Sequence, residues 1–348
     1  MLHAISTSDW HLEALYNHFG DEGVDLQLQE IDSIYLYCLE NGIEHVFVPG
    51  DITDRYVMSD TTKKKLLSLL VKYDGKINTY YIGGNHDRAD SKRTSMDLIS
   101  QFCEWDFLKT FHVYLEPTQI VVGKVVCNML PHPCEESIPH KRPCLNFIHA
   151  DIAGATGDNG KPLRTKKKVI VDPRDFTFGG HIHLAQVLKR QRLVLNGAPY
   201  QKTFGESLPK GIVEFRAYYS GGELKVSHKF VSRRPKFLLE TKIISQQQDF
   251  AELINDRYTR YRLFIEEGVV IPAELRVRLP NIAQVHSLGS HAVKETAERN
   301  ALEVKSSHAV VHPRKGLKQF LLSNNVTPTE LKQCGAMLKE ALSELGTV

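Results

Sequence analysis

No stretch of this sequence is apolar and long enough to span a bilayer, so it does not read as a helical membrane protein. Its first residues, Met1-Leu2-His3-Ala4-Ile5-Ser6, lack the basic and apolar segments of a signal peptide and read as a strand. A cytoplasmic location is therefore expected. Cysteine is sparse: Cys38, Cys103, Cys127, Cys134, Cys144 and Cys334 form no CxxC pair, and a chain of 348 residues needs no disulfide staples. Reduced, mostly buried thiols are the default. Net charge is almost absent, with 44 Lys and Arg against 41 Asp and Glu. Affinity for nucleic acid would have to come from local basic patches or from a site. Internal repeats are missing, and the only low-complexity run is Lys166-Lys167-Lys168. What is present, 42% hydrophobic and 24% charged residues, describes a globular chain of two or three domains.

The first half alternates strand and helix patterns. Residues 3–8, 45–49 and 78–82 read as strands, and 24–40 and 61–71 as helices, the first with a stripe at Leu28, Ile31, Tyr35 and Cys38. This βαβαβ order predicts a mainly parallel sheet with helices on both faces and ligands beyond the carboxyl ends of the strands. From Phe111 the strand candidates become denser (119–122, 125–130, 145–149, 176–178, 193–195, 211–217 and 224–230), which predicts a second sheet packed on the first. A polar, basic, proline-containing stretch, Ser232-Arg233-Arg234-Pro235-Lys236, marks a boundary. Beyond it, a helix pattern over 248–257 and a strand pattern over 261–266 predict a small α+β domain. The tail carries a capping box with proline at the first helical position, Thr327-Pro328-Thr329-Glu330, before an apolar stripe from Leu331 to Leu345.

Five short motifs follow strand candidates: Asp9-Trp10-His11, Gly50-Asp51, Gly84-Asn85-His86-Asp87, His149 and Gly180-His181-Ile182-His183. Each alone is ordinary: Asp-x-His is commonly a turn or cap, and Gly-Asp or Gly-Asn commonly turn chemistry. Together they bring oxygen donors and imidazoles to converging loops, a set that suits Mn²⁺, Fe²⁺ or Zn²⁺ better than Ca²⁺. In an extended backbone the outer residues of Asp9-x-His11 and His181-x-His183 point the same way. A carboxylate such as Asp51 has two oxygens and can serve two ions. His132, Cys134, His140 and Cys144 also offer donors, but their spacing matches no common zinc finger, and the prolines at 133, 139 and 143 suit an irregular loop.

The ordered set DxH, GD, GNHD, H, GHxH resembles that of the calcineurin-like metallophosphoesterases, over roughly the first half of the chain. The resemblance implies an α/β fold, a four-layer metallophosphoesterase sandwich. It implies one metal on Asp9, His11, Asp51 and His183, and a second on Asp51, Asn85, His149 and His181. His86 would be the general acid, oriented by Asp87. One departure is that Ile148 stands where glycine usually precedes the histidine, which leaves His132 and His140 as competitors to His149.

A narrower resemblance lies in Asn196-Gly197-Ala198-Pro199-Tyr200-Gln201-Lys202-Thr203-Phe204-Gly205-Glu206, followed by Lys210-Gly211. This looks like the GSPxR…FGE…KG stretch of SbcD-type DNA repair nucleases, with Ala198 for the common serine and Lys202 for the common arginine. It implies a DNA exonuclease and endonuclease with two divalent ions, Mn²⁺ expected, working as a homodimer with an SMC-like ATPase subunit. The implied organisation is a nuclease domain over 1–232, an α+β capping domain over 233–312 that covers DNA, and a C-terminal helical segment over 313–348 that docks the ATPase. Basic side chains at Lys166, Lys167, Lys168, Lys202, Arg233 and Arg234 are the candidate DNA contacts. The alternatives left open are a phosphatase or nucleotide phosphodiesterase of the same superfamily, and a scaffold that keeps the fold without catalysis.

Overall fold

A computed structural model of the protein describes residues 1–88, 93–133, 142–158, 161–163, 165, 172–206 and 209–288. Arg164, Lys166, Lys167, Lys168, Cys134, His140 and the segment expected to form the C-terminal helix lie outside the described residues. The chain begins with β1 (Leu2–Ser6), α1 (Tyr16–Phe19), α2 (Asp21–Glu40), β2 (His45–Pro49), α3 (Asp60–Tyr73), β3 (Asn78–Ile82), α4 (Asp97–Glu104) and β4 (Phe111–Tyr114). It continues through β5 (Thr118–Val122), β6 (Val125–Leu130), β7 (Leu145–His149), β8 (Phe176–Gly180), β9 (Gln186–Leu188) and β10 (Leu193–Leu195). Last come β11 (Lys210–Ser220), β12 (Glu223–Arg233), β13 (Leu238–Ile244), β14 (Thr259–Ile265), α5 (Leu275–Arg278) and β15 (Ile282–Ser287).

Period-two alternation in the first strands decides the layers. Ile5, Val46, Val48 and Tyr81 point into one core with Ile31, Ile34 and Tyr35 of α2 and Leu66 and Leu70 of α3. Their neighbours Ala4, Phe47, Tyr80 and Ile82 point the other way, against Cys127, Met129, Phe147 and Phe178 of the second sheet. The seam between the sheets is aromatic: the Phe47 and Phe147 rings stack with centroids 3.9 Å apart, and Phe178 meets Phe215 at 4.4 Å. Each such fully buried side chain contributes roughly 1.5–3 kcal/mol. Among the described residues helices therefore cover one face of the first sheet, because the other face is consumed by sheet-on-sheet packing. The expectation of helices on both faces is corrected accordingly.

The first sheet has the order β12-β11-β1-β2-β3-β4, with β1 to β4 parallel and β11 antiparallel to β1. The second has the order β5-β6-β7-β8-β10-β9, parallel from β6 to β10 with an antiparallel strand at each edge. Among the described residues no α-helix covers the outer face of this second sheet. Leu193, Leu195 and Ile182 pack there with Ile152 and Ala155, which belong to loops. The expected fourth layer is thus loop rather than helix in the described part.

A third sheet, β13-β14-β15, is parallel throughout and carries its own apolar cluster of Ile244, Phe250, Leu263, Ile265 and Leu275. The helix expected over 248–257 is a short 3₁₀ turn, Gln247–Glu252. The Asp249 carboxylate accepts the amides of Ser245 and Gln246 and closes that turn tightly. Phe237 and Leu239, at the start of this region, are buried in the helix-side core of the first sheet.

The site is positioned by strand direction. The ends of β1, β2 and β3 run into residues 7–11, 50–54 and 83–87, while β7 ends at His149 and β8 at Gly180, just before His181. Parallel pairing places all five ends at one edge of the two sheets, where the loops converge.

Candidate metal centre

The loops at this edge hold unusual backbone. Asp9 (φ 58°), His11 (φ 43°), Asp51 (φ 55°) and His181 (φ 83°) all have positive φ without being glycine. Such conformations cost on the order of 1–3 kcal/mol each and persist where the surroundings over-determine them. The 9–11 turn is pinned by Gln27, whose Nε2 donates to the carbonyls of Trp10 (3.2 Å) and His11 (2.7 Å). It is also pinned by the Tyr200 hydroxyl, which donates to the Trp10 carbonyl. Two glycines allow the approach of the other loops. A Cβ on Gly50 would stand 2.0 Å from Nδ1 of His149, and one on Gly84 2.1 Å from Oδ1 of Asp51.

Two donor clusters result. In the first, ligand atoms of Asp9, His11 and His183 lie within 4.8 Å of one another. Nε2 of His11 and Nε2 of His183 face each other at 3.0 Å. In the second, ligand atoms of Asp51, His149 and His181 lie equally close. Asn85 joins them through Oδ1, 2.8 Å from Nε2 of His149 and 3.0 Å from Nδ1 of His181. Asp51 stands between the clusters, its Oδ2 3.2 Å from Nε2 of His149 and 3.7 Å from Nε2 of His11. All seven residues expected as ligands are therefore brought to one place. His149 is among them despite Ile148. Its competitor His132 has its ring centroid 6.3 Å from that of His149 and belongs to neither cluster. Cys144, at the opening end of β7, and His132, beyond the closing end of the parallel strand β6, lie at opposite ends of the sheet and cannot share an ion.

The donor set fits divalent cations. Asp9, His11, Asp51 and His149 are at most 1% exposed, and buried carboxylates at such density require compensating positive charge. Two imidazole nitrogens aimed at each other at 3.0 Å require a shared proton or a cation between them. Carboxylates, an amide oxygen and imidazoles together suit Mn²⁺, Fe²⁺ or Zn²⁺. Asn85, His86, His181 and His183 are only half-buried and leave one side of the centre open to a substrate.

Charge is redistributed within the centre. Burial opposes ionisation of Asp51, yet the His149 imidazole, helped by His11 and His86, holds its carboxyl well below the ordinary range. Burial would lower His149, but the Asp51 charge and hydrogen bond and the Asp9 charge push it up to about 9. Burial and the nearby Lys202 ammonium lower His11 to about 4. The Lys202 Nζ lies 3.3 Å from Nε2 of His11 and 3.5 Å from Oδ1 of Asp54.

The pairing expected of Asp87 is corrected by its bonds. Its carboxylate accepts the amides of Asp51 (2.8 Å), Thr53 (2.8 Å) and Gly84 (2.9 Å), tying the second and third loops together. Nδ1 of His86 instead meets the backbone carbonyl of Asp54 at 2.7 Å. The His86 ring stands edge-on to His11, centroids 4.7 Å apart.

Residues 3–184 match the family described as calcineurin-like phosphoesterases, just over half of the 348 residues. The chain belongs to the calcineurin-like phosphoesterase family. No curated protein matches it. Membership and the donor clusters together point to a metal-dependent phosphoesterase that uses divalent ions. No helix of the described residues is long and apolar enough to cross a membrane.

Several residues of this phosphoesterase centre escaped the sequence reading. Asp54, three positions after Asp51, forms a further donor group with His11 and His86. Asp151 lies 3.2 Å from Nε2 of His181. Glu206, quoted only as part of a resemblance, lies 3.3 Å from Nδ1 of His183. Of the candidate DNA contacts, Lys202 is at the centre, Arg233 donates to Oγ of Ser33 on α2 at 2.7 Å, and Arg234 is exposed.

Proposed function

We propose that the chain is a DNA nuclease of the SbcD type, hydrolysing phosphodiester bonds with two Mn²⁺ ions. The observation that carries this reading is the surroundings of the donor clusters. Two side chains of the stretch resembling SbcD-type nucleases stand at the centre: Lys202 lies beside His11 and Glu206 beside His183. A phosphodiester is anionic, and a cationic side chain beside the donor clusters suits it.

Asp9, His11, Asp51 and His183 would hold one ion, and Asp51, Asn85, His149 and His181 the other. When bound, such ions supply positive charge that offsets the charge of the phosphoryl group and acidifies water at neutral pH. The protein's own groups do the rest. Lys202 steers a phosphoryl oxygen and disfavours protonation of His11. His86, its Nδ1–H donating to the Asp54 carbonyl, would as an imidazolium hand its Nε2 proton to the departing sugar oxygen and be left neutral. General acid help of this kind is worth typically ~10²–10⁴-fold. Asp87 fixes the distance between the loops that carry Asp51 and His86.

The same reading makes DNA the substrate, with a homodimer and an SMC-like ATPase as partners. The test is Mn²⁺-dependent cleavage of linear, nicked and hairpin DNA beside hydrolysis of a small phosphomonoester, for wild type and His86→Ala. DNA cleavage that falls ~10²–10⁴-fold in His86→Ala, with metal content unchanged, is the expected result. Activity on the monoester but none on any DNA would move the chain to the phosphatases. No activity on either, in metal-loaded protein, would favour a scaffold.

A further inference from the structure

The centre rests on a buried ion pair outside the residues that match the family. Glu206 and Lys210 are 5% and 2% exposed, and Lys210 Nζ donates to Oε2 of Glu206 at 2.6 Å. The same Nζ donates to the backbone carbonyl of His183 at 3.1 Å. The other Glu206 oxygen, Oε1, lies 3.3 Å from Nδ1 of His183, while Nε2 of that ring faces His11 at 3.0 Å. His183 is thus gripped twice, at its carbonyl by Lys210 and at its ring by Glu206. Among the described residues, Asp158 is the one other carboxylate paired with Nδ1, and it stands farther off at 3.6 Å, beyond hydrogen-bond reach.

A buried ion pair is poor value as a stabiliser, since apolar residues of similar volume commonly serve as well. Its geometry here suits a different task. An imidazole binds a metal through one nitrogen only if the other carries the proton, and a carboxylate at that second nitrogen fixes both tautomer and ring plane. We propose that Glu206 and Lys210 are a positioning pair: Glu206 holds Nδ1–H of His183 so that Nε2 is presented to a divalent cation, and Lys210 holds Glu206 in place. The pair rests on the metal reading of the first cluster. It also gives a physical reason for a Glu and a Lys four residues apart in the stretch 196–211.

The test uses the full chain, stripped of metal and titrated with Mn²⁺ by calorimetry. Glu206→Gln is expected to raise Kd at one site by about 10–100-fold, the usual cost of losing a carboxylate behind a metal-bound imidazole. In a His183→Ala background the same substitution is expected to add nothing, because the ring it acts through is gone. Wild-type affinity in Glu206→Gln, or an equal loss in both backgrounds, would overturn the pair. If Glu206→Gln fails to fold with Lys210 unpaired, Glu206→Gln/Lys210→Met removes both charges. Weakened binding in that variant supports the pair, and wild-type binding refutes it. A wild type that takes up no Mn²⁺ would instead remove the metal reading itself.

Discussion

The two donor clusters flank Asp51 and offer the same kinds of donor, yet they are held by different means. Around Asp51, Asn85, His149 and His181 the support is mostly backbone. Nδ1 of His149 meets the Pro49 carbonyl at 2.9 Å, and Gly50 and Gly84 let the loops close to distances no side chain would permit. Around Asp9, His11 and His183 the support adds to Gln27 and Tyr200 charged side chains from beyond residue 200: Lys202 against His11, and Lys210 with Glu206 against His183. The family match ends at residue 184. The donor residues of both clusters thus lie within the matched part of the chain, while part of the support of the Asp9 cluster comes from the stretch that follows.

Asp51→Asn should do most damage, since its carboxylate faces rings of both clusters. We expect the rate of hydrolysis of bis(p-nitrophenyl) phosphate to fall by about 10³-fold or more, the equivalent of several kcal/mol of lost electrostatic stabilisation. A fall of only a few-fold would mean that the clusters act independently. Next is Gly84→Ala, whose Cβ would meet Oδ1 of Asp51 at 2.1 Å. A loss of about 1–3 kcal/mol in chemical denaturation is expected, as for overpacking elsewhere. An unchanged midpoint would show that the backbone support is softer than the comparison holds.

The clusters also differ in their response to pH in metal-free protein. His149 is raised to about 9 from an ordinary 6.5, so its contribution is full below 6.5 and is lost as pH rises through 9. His11 is lowered to about 4, so the unfolded chain binds the extra proton between 4 and 6.5 and stability falls as pH drops through that window. Thermal melts in chelator should therefore decline on both sides of neutrality, and His149→Gln should remove the alkaline decline alone. The smallest effect is expected of Asp151→Asn. Asp151 sits behind His181 as Glu206 sits behind His183, but its side chain is 54% exposed against 2% for Glu206. Solvent screening should hold its effect on Mn²⁺ affinity to less than ~10-fold, and a larger loss by calorimetry would erase the contrast between exposed and buried supports.

Much of this was legible in one dimension. The strands at 45–49, 78–82, 125–130, 145–149 and 193–195 stand where their apolar runs end in turn residues, because a buried strand and its punctuation are local properties. The motif residues converge because each follows such a strand. Other features depend on packing. Helix α4 carries Ile99, Phe102 and Cys103 at helical spacing, but a stripe within eight residues is too short to stand out in the sequence. Strand β15 has no buried position, and its alternation is correspondingly faint. Helices on both faces of the first sheet could not be ruled out until Phe47 and Phe147 were seen to stack across the two sheets. Glu206 and Asp151 carry no local mark of their roles, since each acts on a histidine brought near by chain folding.

On the proposed reading, Asp51 joins two cation sites in one centre. Equilibrium dialysis of the metal-stripped full chain against Mn²⁺, followed by metal analysis, measures it directly. Two ions per chain in the wild type, with both weakened by Asp51→Asn, is the predicted result. A wild type that retains none, or an Asp51→Asn chain that still retains two with unchanged affinity, would contradict it.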